Sequence, residues 1–324
     1  MNEPPLTAAS WDREGVRHRL AALASRGVFL GTSSWKYPGW LGQLYDRDRY
    51  VYRGRFAESR FERLCLAEYA EVFHTVGVDA AYYQFPTPAM ISACAEQVPA
   101  GFQLSFKVTD DITLRRFPNL PRFGRRAGLE NPDFLNPDRF VSGFLGPLAP
   151  LAGRVGVLMF EFTRFHASDF ARGREFAAHL DRFLGALPPG WRYGVELRNA
   201  HFLHPDYFAM LRRHGVAHVF NSWEAMPPVG EQLGMEGAAT TAPFVVARLL
   251  LRPGRAYAEA VAKFSPYAEL REPNPEARAA ATQLIAQASG ETPPRRVFVY
   301  VNNRLEGSAL RTIEAISAAA VSSR

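Results

Sequence analysis

Cysteine and lysine are the residues this chain has least of. Two cysteines in 324 residues, Cys65 and Cys94, exclude a disulfide-stapled framework and are too isolated for a structural zinc site. Both fall in stretches that read as helices, which predicts buried structural thiols. No apolar run approaches the roughly 18 residues of a membrane span. The longest clean run, 155–160, is strand-sized. Residues 1–15 lack a basic end followed by an apolar core, so residues 1–26 read as a poorly tied arm with a short helix near 15–25, not as a secretory signal. A cytoplasmic protein with no membrane partner is the expectation. Neither a glycine-rich dinucleotide fingerprint nor a P-loop is present; Gly31-Thr32-Ser33-Ser34-Trp35 lacks the spacing of both.

Lysine occurs only at 36, 107 and 263, which leaves arginine in 35 of the 38 basic positions and a formal net charge of +6. A positive balance invites a polyanion, whether nucleic acid or a phosphorylated metabolite. Arginine bias together with abundant alanine, glycine and proline is, however, what GC-rich coding produces without any partner. The informative cations are therefore a few at particular places. A lysine kept in an arginine-biased chain offers a compact charge with a tunable pKa. Hydrophobic residues at 47% and charged residues at 22% exclude a wholly disordered or fibrous chain.

Eight short apolar runs read as strands: 28–31, 76–83, 102–108, 155–160, 193–197, 217–220, 244–249 and 297–301. Helical patterns or long excursions separate them. Helices are expected over 61–73, 88–97 and 205–214, after Asn136-Pro137-Asp138, after Ser168, after Asn274-Pro275-Glu276, and at the C-terminus. Residues 110–136 read as a long polar connection. Strands separated in this way argue for parallel pairing with right-handed crossovers. Eight is the number that closes a (β/α)8 barrel of TIM type. The expected α/β architecture is one barrel domain over 27–324, with the arm at 1–26 and a long loop between the third and fourth strands.

Chemistry in such a barrel sits at the C-terminal strand ends. Those positions carry Trp35 and Tyr37 after the first strand, Asp79, Tyr82 and Tyr83 in the second, Lys107 in the third and Glu161 in the fourth. Glu196, Arg198 and Asn199 follow the fifth, Asn221 the sixth, Arg248 lies in the seventh, Tyr257 beyond it, and Asn302 and Asn303 end the eighth. Charged groups at apolar strand ends need a partner, a ligand or water.

The stretches Gly31 to Trp35 with Tyr37-Pro38-Gly39-Trp40, FHTVGVDAAYYQFP over 73–86, Phe106-Lys107 with Ile112-Thr113, Val195-Glu196-Leu197-Arg198-Asn199, and VYVNNRLEG over 299–307 resemble the domain-of-unknown-function 72 family, also called YecE-like. The resemblance implies a TIM-type barrel and no established reaction. This sequence departs from the family pattern in the second strand, where Gly77 stands at a usually acidic position. It departs again at Glu161 and Thr163, and in Arg248-Leu249-Leu250-Leu251, which keeps the arginine and lacks the usual histidine.

The first functional reading is an enzyme of hydrolase or isomerase type on an anionic, phosphorylated or sugar-like small molecule. Arg198, Arg248 and Lys107 would hold the anion, Glu196 or Glu161 would act as general acid/base, and Trp35 and Tyr37 would stack on a ring. Two carboxylates at adjacent strand ends also admit glycoside hydrolysis. A metal-dependent phosphodiesterase, resembling endonuclease IV in fold, would use Asp79, Glu161 and Glu196 as oxygen ligands. No ligand spacing supports a divalent metal, and His166, His201 and His204 form no diagnostic set. The alternative is nucleic-acid binding through Arg115, Arg116, Arg122, Arg125 and Arg126, with Phe117 and Phe123 stacking on bases. A non-catalytic ligand-binding protein is the third class.

Overall fold

The structure, a computed structural model, describes residues 11–322. The eight apolar runs form eight strands: β1 Val28–Thr32, β2 Thr75–Val78, β3 Gln103–Lys107, β4 Val155–Phe162, β5 Tyr193–Leu197, β6 Ala217–Ser222, β7 Phe244–Leu249 and β8 Arg296–Val301. Each pairs in parallel with its neighbours, and β1 joins both β2 and β8, so the sheet closes into a barrel. At Gly31 a side chain would collide with the carbonyl of Thr75, so glycine permits the close approach of β1 and β2.

Side chains along a strand alternate between the barrel interior and the surrounding helices. Val157 and Met159 on β4, Val219 on β6, Val246 on β7, and Phe298 and Tyr300 on β8 fill the interior as one apolar cluster. Their outward neighbours, such as Leu158, Phe160, Val195 and Leu197, belong to the main core beneath the helices. Two residues beyond Met159 and Val246 on the same inward face stand Glu161 and Arg248. The period of two that builds the core thus also aims the charged groups into the barrel mouth.

Besides shifts of a few residues at other element ends, two elements differ from the sequence reading. The second strand stops at Val78, and Ala80–Tyr83 is a helical turn, because Asp79 takes an αR backbone (φ −71°, ψ −19°). The Ala-Ala-Tyr-Tyr run resembled a strand continuation because aromatic residues favour strands. Ser168 caps no helix. A local turn, in which Asp169 accepts from the His166 N–H at 3.0 Å, carries Phe165 and Phe170 against Phe176. The helix then begins as Gly173–Gly185. Asn136 and Asn274 cap where expected, each accepting from the N–H three residues on.

The described part of the expected arm is docked. Asp12 accepts from the Gly15 N–H to cap the helix Arg13–Ala24, whose Val16, Leu20 and Leu23 are buried. The Trp11 indole donates to the Leu310 carbonyl of the last helix, Ala309–Ser322, at 3.3 Å. Residues 1–10 lie outside the described residues. Cys65 and Cys94 are free and buried; burial pushes the Cys65 thiol up to about 12. The long connection after β3 has a small core of its own, Leu114, Phe117 and Phe123. Asn131 closes its base by donating to the Asp111 and Leu114 carbonyls at 2.7 and 2.8 Å. No helix among the described residues is long and apolar enough to cross a membrane.

Candidate active site

Strand register sets Glu161 beside Glu196 and Arg248 beside Asn221 at the barrel mouth. Arg248 Nη1 donates to Glu161 Oε2 at 2.8 Å and to Glu196 Oε2 at 2.6 Å, while Nη2 reaches Asp79 Oδ1 at 3.4 Å. Arg198 Nη2 lies 2.7 Å from Glu161 Oε2 and 3.1 Å from Glu196 Oε1. Lys107 Nζ lies 2.8 Å from Glu161 Oε2. Three cations therefore converge on one carboxylate oxygen. Glu161 and Glu196 are buried, whereas the Asp79 side chain is 33% exposed.

Burial opposes the charge of Glu161, yet Arg198, Lys107 and Arg248 together outweigh it and hold its carboxyl far below the usual carboxylate range. Asp79 and Lys107 instead shift towards their neutral forms. Burial raises the Asp79 carboxyl against the pull of Arg248 and Lys107, and burial lowers the Lys107 amine against the pull of Glu161.

Above this cluster opens a cavity of about 370 Å³. Its walls alternate cations with rings. Lys107 Nζ lies 3.5 Å from the Tyr82 ring centre, the Arg198 guanidinium 3.6 Å from Trp223, and the Arg304 guanidinium 4.6 Å from Tyr257. From the long loop, Arg122 lies 5.2 Å from Tyr83 and pairs with Asp110 at 2.6 Å. Arg304 differs from its neighbours. Among the described residues it forms no ion pair, although its charge reaches the Asp79 carboxylate, and its buried Nε has no hydrogen-bond partner.

Of the residues singled out in the sequence, Lys107, Glu161, Arg198, Arg248, Asp79, Tyr82, Tyr83 and Tyr257 line this cavity, as does Arg122 of the arginine-rich loop, with Glu196 held beneath by Arg198 and Arg248. Others do not. Trp35 is buried, and Tyr37 packs on Trp40 and Tyr267, so neither offers a face to a ligand in the cavity. Asn199 clamps the backbone of Phe165 through both its amide atoms. Asn221 donates to the Leu197 carbonyl. Asn302 and Asn303 accept from the N–H groups of Arg304 and Ala309. Asn199, Asn302 and Asn303 tie loops at the barrel rim, and Asn221 ties the ends of β5 and β6. Sequence reading missed Arg304 and Trp223, which lie beyond the eighth and sixth strands. Both were findable as an arginine and a tryptophan within three residues of a strand end.

The arginine-rich loop differs from its expected form. Phe117 and Phe123 are buried against each other at 5.3 Å, because the loop needs them as its core, and they offer no face to a base. Arg115 and Arg116 pair with Glu130, and Arg126 pairs with Asp111; Arg125 is exposed. The metal-dependent alternative also lacks its geometry. Asp79, Glu161 and Glu196 converge on the Arg248 guanidinium, which already supplies the positive charge between them, so this set does not fit a divalent ion. Among the described residues no three His, Cys, Asp or Glu side chains form a metal cluster. His201 and His204 line a separate cleft, and His204 caps the helix Pro205–His214.

Residues 29–323 match the family described as protein of unknown function DUF72. The chain belongs to the DUF72 family. It is 27% identical over 182 residues to the UPF0759 protein YecE of Escherichia coli K12, a match that covers 56% of this chain and 50% of that relative. The chain thus spans about half the length of the curated relatives it matches. A DUF72 family protein of Enterococcus faecalis V583 aligns in structure with a TM-score of 0.59 at 17% identity, covering 92% of this chain and 96% of that one. Another, from Thermotoga maritima MSB8, aligns with a TM-score of 0.54 at 16% identity, covering 89% and 96%. These two likenesses show that this DUF72 protein shares their fold.

Proposed function

We propose that this DUF72 protein is an acid/base enzyme of hydrolase or isomerase type that takes a small molecule bearing an anionic group, such as a phosphate, at the barrel mouth. One observation carries this reading. Lys107, Arg198 and Arg248 pair with the carboxylates Asp79, Glu161 and Glu196, and Arg304 is the cation of this wall that forms no ion pair among the described residues. An anion would complete the set, and a guanidinium can hold a phosphate with two parallel hydrogen bonds.

In this reading Glu161 and Glu196 are positioning residues. They are saturated by buried cations and fix Lys107, Arg198 and Arg248 in the wall. Proton transfer falls to Asp79, which is accessible from the cavity and whose carboxyl is raised, with Lys107 as the second group moved towards neutral pH. A glycosidase pair is disfavoured by the same facts, since an acid catalyst needs a raised pKa and that of Glu161 is lowered.

The test is turnover across a panel of phosphate esters and sugar phosphates, followed by Asp79→Asn. The variant is expected to lose at least a hundredfold in kcat while still binding the substrate. Unchanged kcat in the variant would remove Asp79 from the mechanism.

A further inference from the structure

Seven large apolar side chains are exposed among the described residues, and three of them, Tyr83, Leu120 and Tyr257, stand on the rim of this one cavity. Tyr83 and Tyr257 are 64% and 49% exposed. A soluble protein leaves such a cluster at a cavity mouth where a ligand covers it. The floor beneath is charged and the rim is aromatic, so the ligand they complement has an anionic end and a flat apolar end.

Resting on the anion-site reading, we infer that the substrate class is an aromatic phosphate ester, in which a planar ring adjoins the phosphate, and that Tyr83 and Tyr257 are the residues that select for the ring. The cations decide between a flat ring and a sugar. Arg122 stands over Tyr83 and Arg304 over Tyr257. A cation on a ring draws on its negative face and leaves the π-cloud less able to attract the polarised C–H groups of a sugar or a second cation. The same ring still stacks on an electron-rich aromatic system. Because Arg304 carries both functions, lying over Tyr257 and forming no ion pair among the described residues, it couples the phosphate to the ring. Phosphate on Arg304 places its ester substituent beside Tyr257.

The long loop after β3 supplies the rest of the selecting rim. It brings Leu120 and Arg122 to the cavity, and its own core of Leu114, Phe117 and Phe123 fixes that geometry without contribution from the barrel interior. The selecting residues thus lie outside the buried ion cluster.

Calorimetric titration of the full chain with phenyl phosphate, glucose 6-phosphate and inorganic phosphate tests the inference. Phenyl phosphate is expected to bind about tenfold more tightly than either of the others, consistent with stacking on an aromatic side chain. In the double variant Tyr83→Ala/Tyr257→Ala, whose sites are exposed and leave the core intact, the ratio of phenyl phosphate to inorganic phosphate affinity should fall to about one. Equal affinity for all three ligands in the native chain would overturn the aromatic class while leaving the anion site standing. A ratio that survives the double variant would overturn the role given to the two tyrosines. Binding of none of the three would overturn the anion site itself and the inference with it.

Discussion

At the scale of the single residue, Glu161 illustrates the positioning role proposed above for a carboxylate that would not exchange protons. Its oxygen Oε2 receives Lys107, Arg198 and Arg248, and its side chain is buried. Glu161→Gln keeps the shape and removes the charge, leaving three cations with one fewer counter-ion. Breaking a buried ion cluster in this way costs about 3 kcal/mol or more, measured as the change in unfolding free energy at pH 7. The pH dependence follows from the lowered carboxyl. Its stabilisation is fully present above the unfolded glutamate pKa, near about 4.3, and is lost as pH falls from there towards the lower folded value. The stability gap between native chain and variant should therefore narrow on acidification below about pH 4. A gap that stays constant down to pH 2.5 would show that the cations do not hold Glu161 as described. The raised carboxyl of Asp79 has the opposite sign: it favours the folded state at low pH and costs stability as pH rises through its folded value.

At the scale of the element, the connection after β3 is more than a polar linker, since it closes on Leu114, Phe117 and Phe123 and on the amide of Asn131. Phe117→Ala empties most of that small core. Limited proteolysis is expected to cut within 114–131 several times faster in the variant, while the thermal midpoint of the barrel changes by only a few degrees. A collapse of the midpoint like that of a barrel-core truncation would mean that the loop unfolds together with the barrel. The strands were legible because each is apolar, short and bounded by polar residues, and the caps at Asn136 and Asn274 were legible because Asn-Pro at a helix start has a local cause. The end of the second strand was not, since Tyr82 and Tyr83 suit a strand and leave it only because the chain turns at Asp79. The loop core was hidden for a different reason. Interleaved arginine and phenylalanine reads as a nucleic-acid-binding surface or as an exposed arginine-rich loop, and neither reading reveals the burial of Phe117 and Phe123.

At the scale of the whole molecule, a net charge of +6 spread over an arginine-rich surface says little, whereas the charge excess inside one cavity says much. The barrel's period of two explains why Lys107, Glu161, Glu196, Arg198 and Arg248 were readable as a site: each is a polar residue interrupting an apolar strand or standing just at its end. The asparagines at neighbouring strand ends had the same sequence signature and bond backbone groups instead, Asn199 with both its amide atoms and Asn221, Asn302 and Asn303 with one. Arg304 escaped notice because the loop after β8, not the strand, delivers it. The direct test of the anion site is calorimetric titration with inorganic phosphate of the native chain and of Arg304→Ala. An anion site at Arg304 predicts saturable binding to the native chain, weakening as salt rises, and a loss of about tenfold or more in the variant, as expected for a charge-assisted hydrogen bond. Equal affinity in the two proteins, or no binding to either, would contradict it.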